Sequence, residues 1–138
     1  MRKWIAAAAV VVSAALAVMA STAAASSAPI VITYAKQCDA TGHCVGTAGS
    51  GGRFEMQVTT YRTTGDAAHF TATESVTVGA ISFTAELTAT MTPAGFVVLN
   101  GRVTQGSFVG AEVHQRSNLV DPVADTWTGE LRLMPASA

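Results

Sequence analysis

The stretch that decides the fold is ISFTAELTATM, residues 81–91, where apolar and polar side chains alternate without a break. The apolar positions are Ile81, Phe83, Ala85, Leu87, Ala89 and Met91. Successive side chains of a β-strand point to opposite faces, so a period of two predicts a strand with one buried face. Helical spacing finds no support over these residues.

The same alternation predicts further strands on both sides of this stretch. They cover residues 30–34, 69–78, 96–104, 110–117 and 126–134, with another starting at residue 53. Turn residues separate them, for example Gly65-Asp66, Gly79-Ala80 and the Pro-Ala-Gly run of residues 93–95. The glycine-rich residues 46–52 and residues 119–125 are predicted to be connections. We therefore expect about seven strands in sequential antiparallel order.

An antiparallel meander must bury its apolar face and protect its edges. It can close into a barrel or pack as two sheets. The sequence predicts an all-β domain in the form of a small closed barrel, with a β-sandwich as the alternative. Trp127 has the parity of Leu131 and Leu133, which places it in the predicted core.

The first 25 residues differ from the rest of the chain. Met1-Arg2-Lys3 is a short positive segment, residues 5–19 are apolar apart from one serine, and Ala23-Ala24-Ala25 offers small residues for cleavage. This order is typical of a secretory signal peptide. We predict a signal peptide over residues 1–25, a single domain over residues 26–138 and an extracellular location.

Charge disfavours two classes of partner. Without Arg2 and Lys3, six of the eight basic residues remain against nine acidic ones, a net charge of −3. The basic side chains are spread along the sequence, whereas nucleic-acid and anionic membrane surfaces require clustered positive charge. We expect neither nucleic-acid binding nor stable membrane association after cleavage.

The chain has only two cysteines, Cys38 and Cys44. In an exported protein such a pair forms a disulfide, and Asp39 and Gly42 allow the chain to turn back between them. A metal site is disfavoured because five residues separate the cysteines and His43 directly precedes Cys44. We predict a Cys38–Cys44 disulfide, no metal and no cofactor.

Gly106-Ser107-Phe108-Val109-Gly110-Ala111 resembles the Gly-x-Phe-x-Gly-Ala segment of dirigent-like and allene-oxide-cyclase-like β-barrels. The resemblance covers these six residues and the general strand pattern. It implies an antiparallel barrel with an internal cavity for an apolar ligand. It carries over no activity, because no catalytic residue of those families matches a residue of this chain.

Glu74 is the clearest anomaly in the alternation. It shares the parity of Phe70, Ala72 and Val76, which directs its carboxylate inward, where burial is costly without a partner. It is the candidate ligand-binding residue. The alternatives are a β-bulge that turns Glu74 to solvent, or a position at the barrel mouth.

No catalytic residue can be assigned from a motif. His114 lies between Glu112 and Arg116 on one strand face, which allows acid–base chemistry but is also typical of a solvated face. The sequence favours a non-enzymatic binding module for a small apolar ligand or another protein. The alternatives are a small secreted enzyme using Glu74 or His114, and an inhibitor presenting the Cys38–Cys44 loop.

Overall fold

The computed structural model describes residues 28–135, and all regular structure within them is β-strand. The eight strands of this part are β1 (Ile30–Cys38), β2 (His43–Ala48), β3 (Gly52–Thr64), β4 (Ala67–Val78), β5 (Ile81–Met91), β6 (Phe96–Gly106), β7 (Glu112–Asp121) and β8 (Thr126–Met134). The all-β prediction is confirmed. The predicted signal peptide, residues 1–25, lies outside the described residues.

Each strand pairs antiparallel with the next, and β8 pairs back onto β1. The eight strands therefore form a closed barrel, which leaves no unpaired edge. The predicted barrel is confirmed, and the alternative of a β-sandwich is not what the structure shows. The stretch from which the prediction started is β5, with the same bounds, and its buried and exposed residues alternate as expected.

The barrel has two ends. The disulfide end carries the connections 39–42, 65–66, 92–95 and 122–125. The terminal end carries the connections 49–51, 79–80 and 107–111, together with Ile30 and Met134.

The predicted strand count is wrong by one, because the glycine-rich segment contains β2. Gly46 lies between β1 and β3, and a Cβ there would come 1.8 Å from the Ala35 carbonyl oxygen. Glycine is therefore required by the close approach of a neighbouring strand, and only residues 49–51 form a turn. The predicted connection 119–125 is also too long, because β7 runs to Asp121.

A register shift in β3 changes which side chains reach the interior at the disulfide end. The shift falls between Val58 and Thr60, and beyond it Tyr61 pairs with Phe70. Directly paired residues share a face of the sheet, so Tyr61 lies on the same side as the inward-facing Phe70, at the open end of the barrel where it is 60% exposed. Strict alternation from Val58 would have placed Tyr61 on the outer wall.

Candidate functional site

A cavity of about 470 Å³ opens at the disulfide end of the barrel. Most of its lining is apolar or sulfur-containing. These lining residues include Cys38, Cys44, Met56, Val58, Tyr61, Phe70, Met91, Val97 and Trp127. Lys36 is its one basic residue, and Asp39 and Asp125 belong to the connections at its rim.

The predicted Cys38–Cys44 disulfide is confirmed, and it forms part of the cavity wall. In the loop that it closes, Asp39 Oδ1 accepts hydrogen bonds from the Thr41 hydroxyl at 2.6 Å and the Thr41 N–H at 2.8 Å. These bonds, with one from the His43 N–H, hold the pKa of Asp39 below its ordinary value. The loop is therefore fixed by its own hydrogen bonds as well as by the disulfide.

A second connection is tied to this loop. The Cys38 N–H donates to the Asp125 carbonyl oxygen at 3.0 Å, and the Trp127 indole N–H donates to Asp125 Oδ1 at 2.7 Å. Trp127 is partly buried against the core, in agreement with its predicted parity. The indole hydrogen bond orients the ring on the cavity wall.

Lys36 lies at the base of the cavity and is only 7% exposed. Its ammonium lies 5.5 to 6.0 Å from the ring centroids of Phe54, Tyr34 and Trp127. Among the described residues, no carboxylate oxygen lies within 4.0 Å of Lys36 Nζ. Among the same residues, the hydrogen-bond acceptor that Lys36 Nζ contacts is Met56 Sδ, a weak acceptor, at 3.8 Å. Burial lowers the pKa of Lys36 to about 8, although the charges of Glu74 and Asp125 oppose this.

Sequence reasoning missed Lys36, although a signal was present. Lys36 follows the parity of Ile32 and Tyr34, but the first strand was predicted to end at Tyr34. In the structure β1 continues to Cys38, and Lys36 is inside the barrel. Extending the alternation by one more pair of residues would have found it.

Glu74 points into the barrel, is 1% exposed and does not line the cavity. Its Oε1 accepts a hydrogen bond from Gln115 Nε2 at 2.8 Å, while its Oε2 has no hydrogen-bond partner among the described residues. Burial raises the pKa of Glu74 to about 7, against the opposing effects of Gln115 and Lys36. The inward direction expected from parity is what the structure shows, because the register shift in the β3–β4 pairing falls between Val58 and Thr60 of β3 and not at Glu74.

Glu74 belongs to a polar cluster that crosses the barrel interior. Gln115 Nε2 also approaches the Tyr34 hydroxyl at 3.2 Å, and that hydroxyl hydrogen-bonds to Ser117. Burial raises the pKa of Tyr34 to about 12. We call Tyr34, Lys36, Glu74, Gln115 and Ser117 the interior polar cluster.

His114 lies on the outer wall, as a solvated strand face requires. Its Nδ1 is 2.7 Å from Asn100 Oδ1, and its Nε2 is 3.0 Å from Glu112 Oε1. Glu74 and His114 are on opposite sides of the barrel wall, so the structure does not bring these two candidates together. Among residues 28–135, no three His, Cys, Asp or Glu side chains are grouped as metal ligands would be.

Comparisons with protein-family models, with characterised proteins and with solved structures found no match. The resemblance of residues 106–111 to dirigent-like barrels therefore remains a prediction. Residues 28–135 contain no helix that could span a membrane. The class defined by the fold and the site is a closed eight-stranded antiparallel barrel, hollow at its disulfide end.

Proposed function

We propose that this protein is a secreted, non-enzymatic binding module that holds a small, mainly apolar molecule in the cavity at the disulfide end. The cavity itself carries the proposal. Its volume of about 470 Å³ falls within the roughly 300–1,000 Å³ that small-molecule sites occupy. Its lining is mainly apolar and aromatic with a few polar groups, namely Lys36 at the base and Asp39, Thr41 and Asp125 nearer the rim. This is the usual composition of such sites.

The chemistry of the lining supports binding of an apolar body. Met56 and Met91 have flexible, polarisable side chains that adapt to the shape of a ligand. Phe70 and Trp127 offer aromatic faces, and the disulfide adds a further apolar surface. Removing such surface from water is favourable in proportion to its area.

Two observations support the extracellular part of the proposal. The N-terminal order of charged, apolar and small residues is that of an export signal. Disulfides such as Cys38–Cys44 form and persist in oxidising compartments outside the cytosol. Protein collected from the medium of an exporting host should begin near residue 26, which N-terminal sequencing measures.

Binding is tested on this secreted protein with the neutral fluorophore N-phenyl-1-naphthylamine, whose emission rises in apolar surroundings. Met91→Trp places an indole in the cavity and should weaken binding by about tenfold or more. Val45→Trp adds the same group on the outer wall, where Val45 is 50% exposed, and should leave affinity unchanged. Equal affinity of both variants and the unsubstituted protein, or no binding at all, would contradict the proposal.

A further inference from the structure

Lysine and arginine differ in where they lie in this domain. Lys36 is the only lysine after residue 3, and the other basic side chains of residues 28–135 are arginines. Those arginines (Arg53, Arg62, Arg102, Arg116 and Arg132) are all exposed. The one lysine is thus the one buried cation of the described domain, at the base of its apolar cavity.

A buried ammonium is costly unless it is paired and hydrogen-bonded. The groups that surround Lys36 satisfy it poorly. Phe54 and Trp127 present ring faces and Met56 presents a thioether, all of which are weaker partners than a carboxylate. The ammonium therefore retains hydrogen-bond donors that point to no strong acceptor among the described residues.

The charged and titratable groups around Lys36 determine which ligand group could pair with its ammonium. Tyr34 lies on the same strand, Glu74 is on β4 below the cavity, and Asp39 and Asp125 are at the rim. Tyr34 is neutral at physiological pH, and burial raises its pKa further, to about 12. An acceptor that reaches Lys36 from the cavity thus meets a cation at the base and carboxylates at the opening.

We infer that the ligand is an apolar monocarboxylic acid, with its carboxylate on Lys36 Nζ and its apolar body along the cavity wall. This inference rests on the proposed function. The carboxylate supplies charge-assisted hydrogen bonds that the thioether of Met56 cannot match. One anionic group is favoured over two, because a second one at the mouth would lie near Asp39 and Asp125 and be repelled.

Decanoic acid and decanol are the two probes, since they share a chain and differ in the head group. Competition against N-phenyl-1-naphthylamine at about pH 6.5 should show the acid binding at least about tenfold more tightly than the alcohol. Lys36→Met should abolish this preference, and its affinity for decanol should be unchanged. Arg53→Met, which removes an exposed cation, should retain the preference. If Lys36→Met does not fold, the double variant Lys36→Met/Glu74→Gln takes its place, because it removes both interior charges.

The outcomes separate the inference from the proposed function. Equal binding of acid and alcohol by the unsubstituted protein, or an acid preference that survives loss of Lys36, would overturn the carboxylate assignment and leave a neutral-ligand cavity. Failure of the neutral fluorophore to bind would overturn the proposed function, and with it the inference.

The pH dependence provides an independent readout. Between about pH 8.5 and about pH 6, Lys36 becomes fully protonated and Glu74 takes up a proton, while decanoate remains ionised. Both changes favour an anion at Lys36, so the affinity for decanoate should rise as the pH falls. The affinity for decanol should change little. A decanoate affinity that falls on acidification over this range would contradict the assignment.

Discussion

The two ends of the barrel use the same alternating strands for different purposes. At the terminal end the inward side chains of Ile32, Phe83, Val113 and Leu133 are at most 5% exposed and pack in one core. At the disulfide end Val58, Tyr61, Phe70 and Met91 have the inward orientation but surround a cavity. The interior polar cluster extends from the packed core to the base of the cavity.

The difference separates the end that provides most of the packing from the end to which we assign the proposed binding function. Close packing at the terminal end provides dispersion and hydrophobic stabilisation, which a cavity gives up. The disulfide end compensates through covalent and polar links, since the disulfide and the hydrogen bonds of Asp39 and Asp125 fix its rim. A hollow end with a fixed rim has the preorganisation that the proposed binding function requires.

Matched truncations test this comparison most strongly. Val113→Ala, at a position that is 0% exposed, should lower the free energy of unfolding by about 2–3 kcal/mol, because it leaves a void in the packed core. Val58→Ala removes the same atoms from the cavity wall and should cost less than about 1 kcal/mol. Urea denaturation measures both. Equal losses would show that the two ends are packed alike.

The disulfide gives the next largest effect. Replacing both Cys38 and Cys44 by alanine should lower the free energy of unfolding by about 2 kcal/mol, because the unfolded chain regains the freedom of the closed loop. It should also weaken binding of N-phenyl-1-naphthylamine, since the rim loses its covalent link. Val113→Ala should lower stability and leave that affinity unchanged. A disulfide variant that binds as well as the unsubstituted protein would contradict a role for the rim.

The fold was largely predictable because period-two alternation is a local signal. It identified β5 and β8 with the bounds that the structure shows. It failed where contacts from other strands decide the outcome. β2 contains few apolar residues, and its pairing depends on the absence of a side chain at Gly46. Gly129 is also required by a close approach, because a Cβ there would lie 2.4 Å from the Tyr34 hydroxyl oxygen, although its strand β8 was predicted correctly.

The candidate site was predictable only in part. Parity alone places Glu74 inside, because its strand keeps strict alternation from Ala72 to Val76. Its partner Gln115 could not be assigned, since β4 and β7 are not neighbours and meet only across the closed barrel. The position of Tyr61 depends on a register shift in β3 that the sequence does not predict. The cavity itself is a consequence of closure, which no single strand encodes.

The smallest expected effect concerns the interior polar cluster, where the two ends meet. The pKa of Glu74 is raised from 4.5 to about 7, so the stability associated with its protonated form is fully present below about pH 4.5 and is lost as the pH rises through 7. The pKa of Lys36 is lowered from 10.5 to about 8, so its contribution has the opposite sign and increases as the pH rises above 8. Together these two groups should give a minimum of stability between pH 7 and 8.

Glu74→Gln should remove the acidic side of that minimum. The substitution eliminates the buried charge, and the new amide can donate toward Gln115 Oε1, which has no hydrogen-bond partner among the described residues. We expect a gain of about 1 kcal/mol in the free energy of unfolding near pH 8, and little change near pH 5, where Glu74 is already protonated.

Glu86→Gln is the matched control on the outer wall, where the effect should stay within about 0.5 kcal/mol at both pH values. Urea denaturation at the two pH values measures these differences. A loss of stability near pH 8 would mean that the ionised Glu74 stabilises Lys36 by more than its own burial costs, and the cluster would then be an ion pair that holds the barrel together.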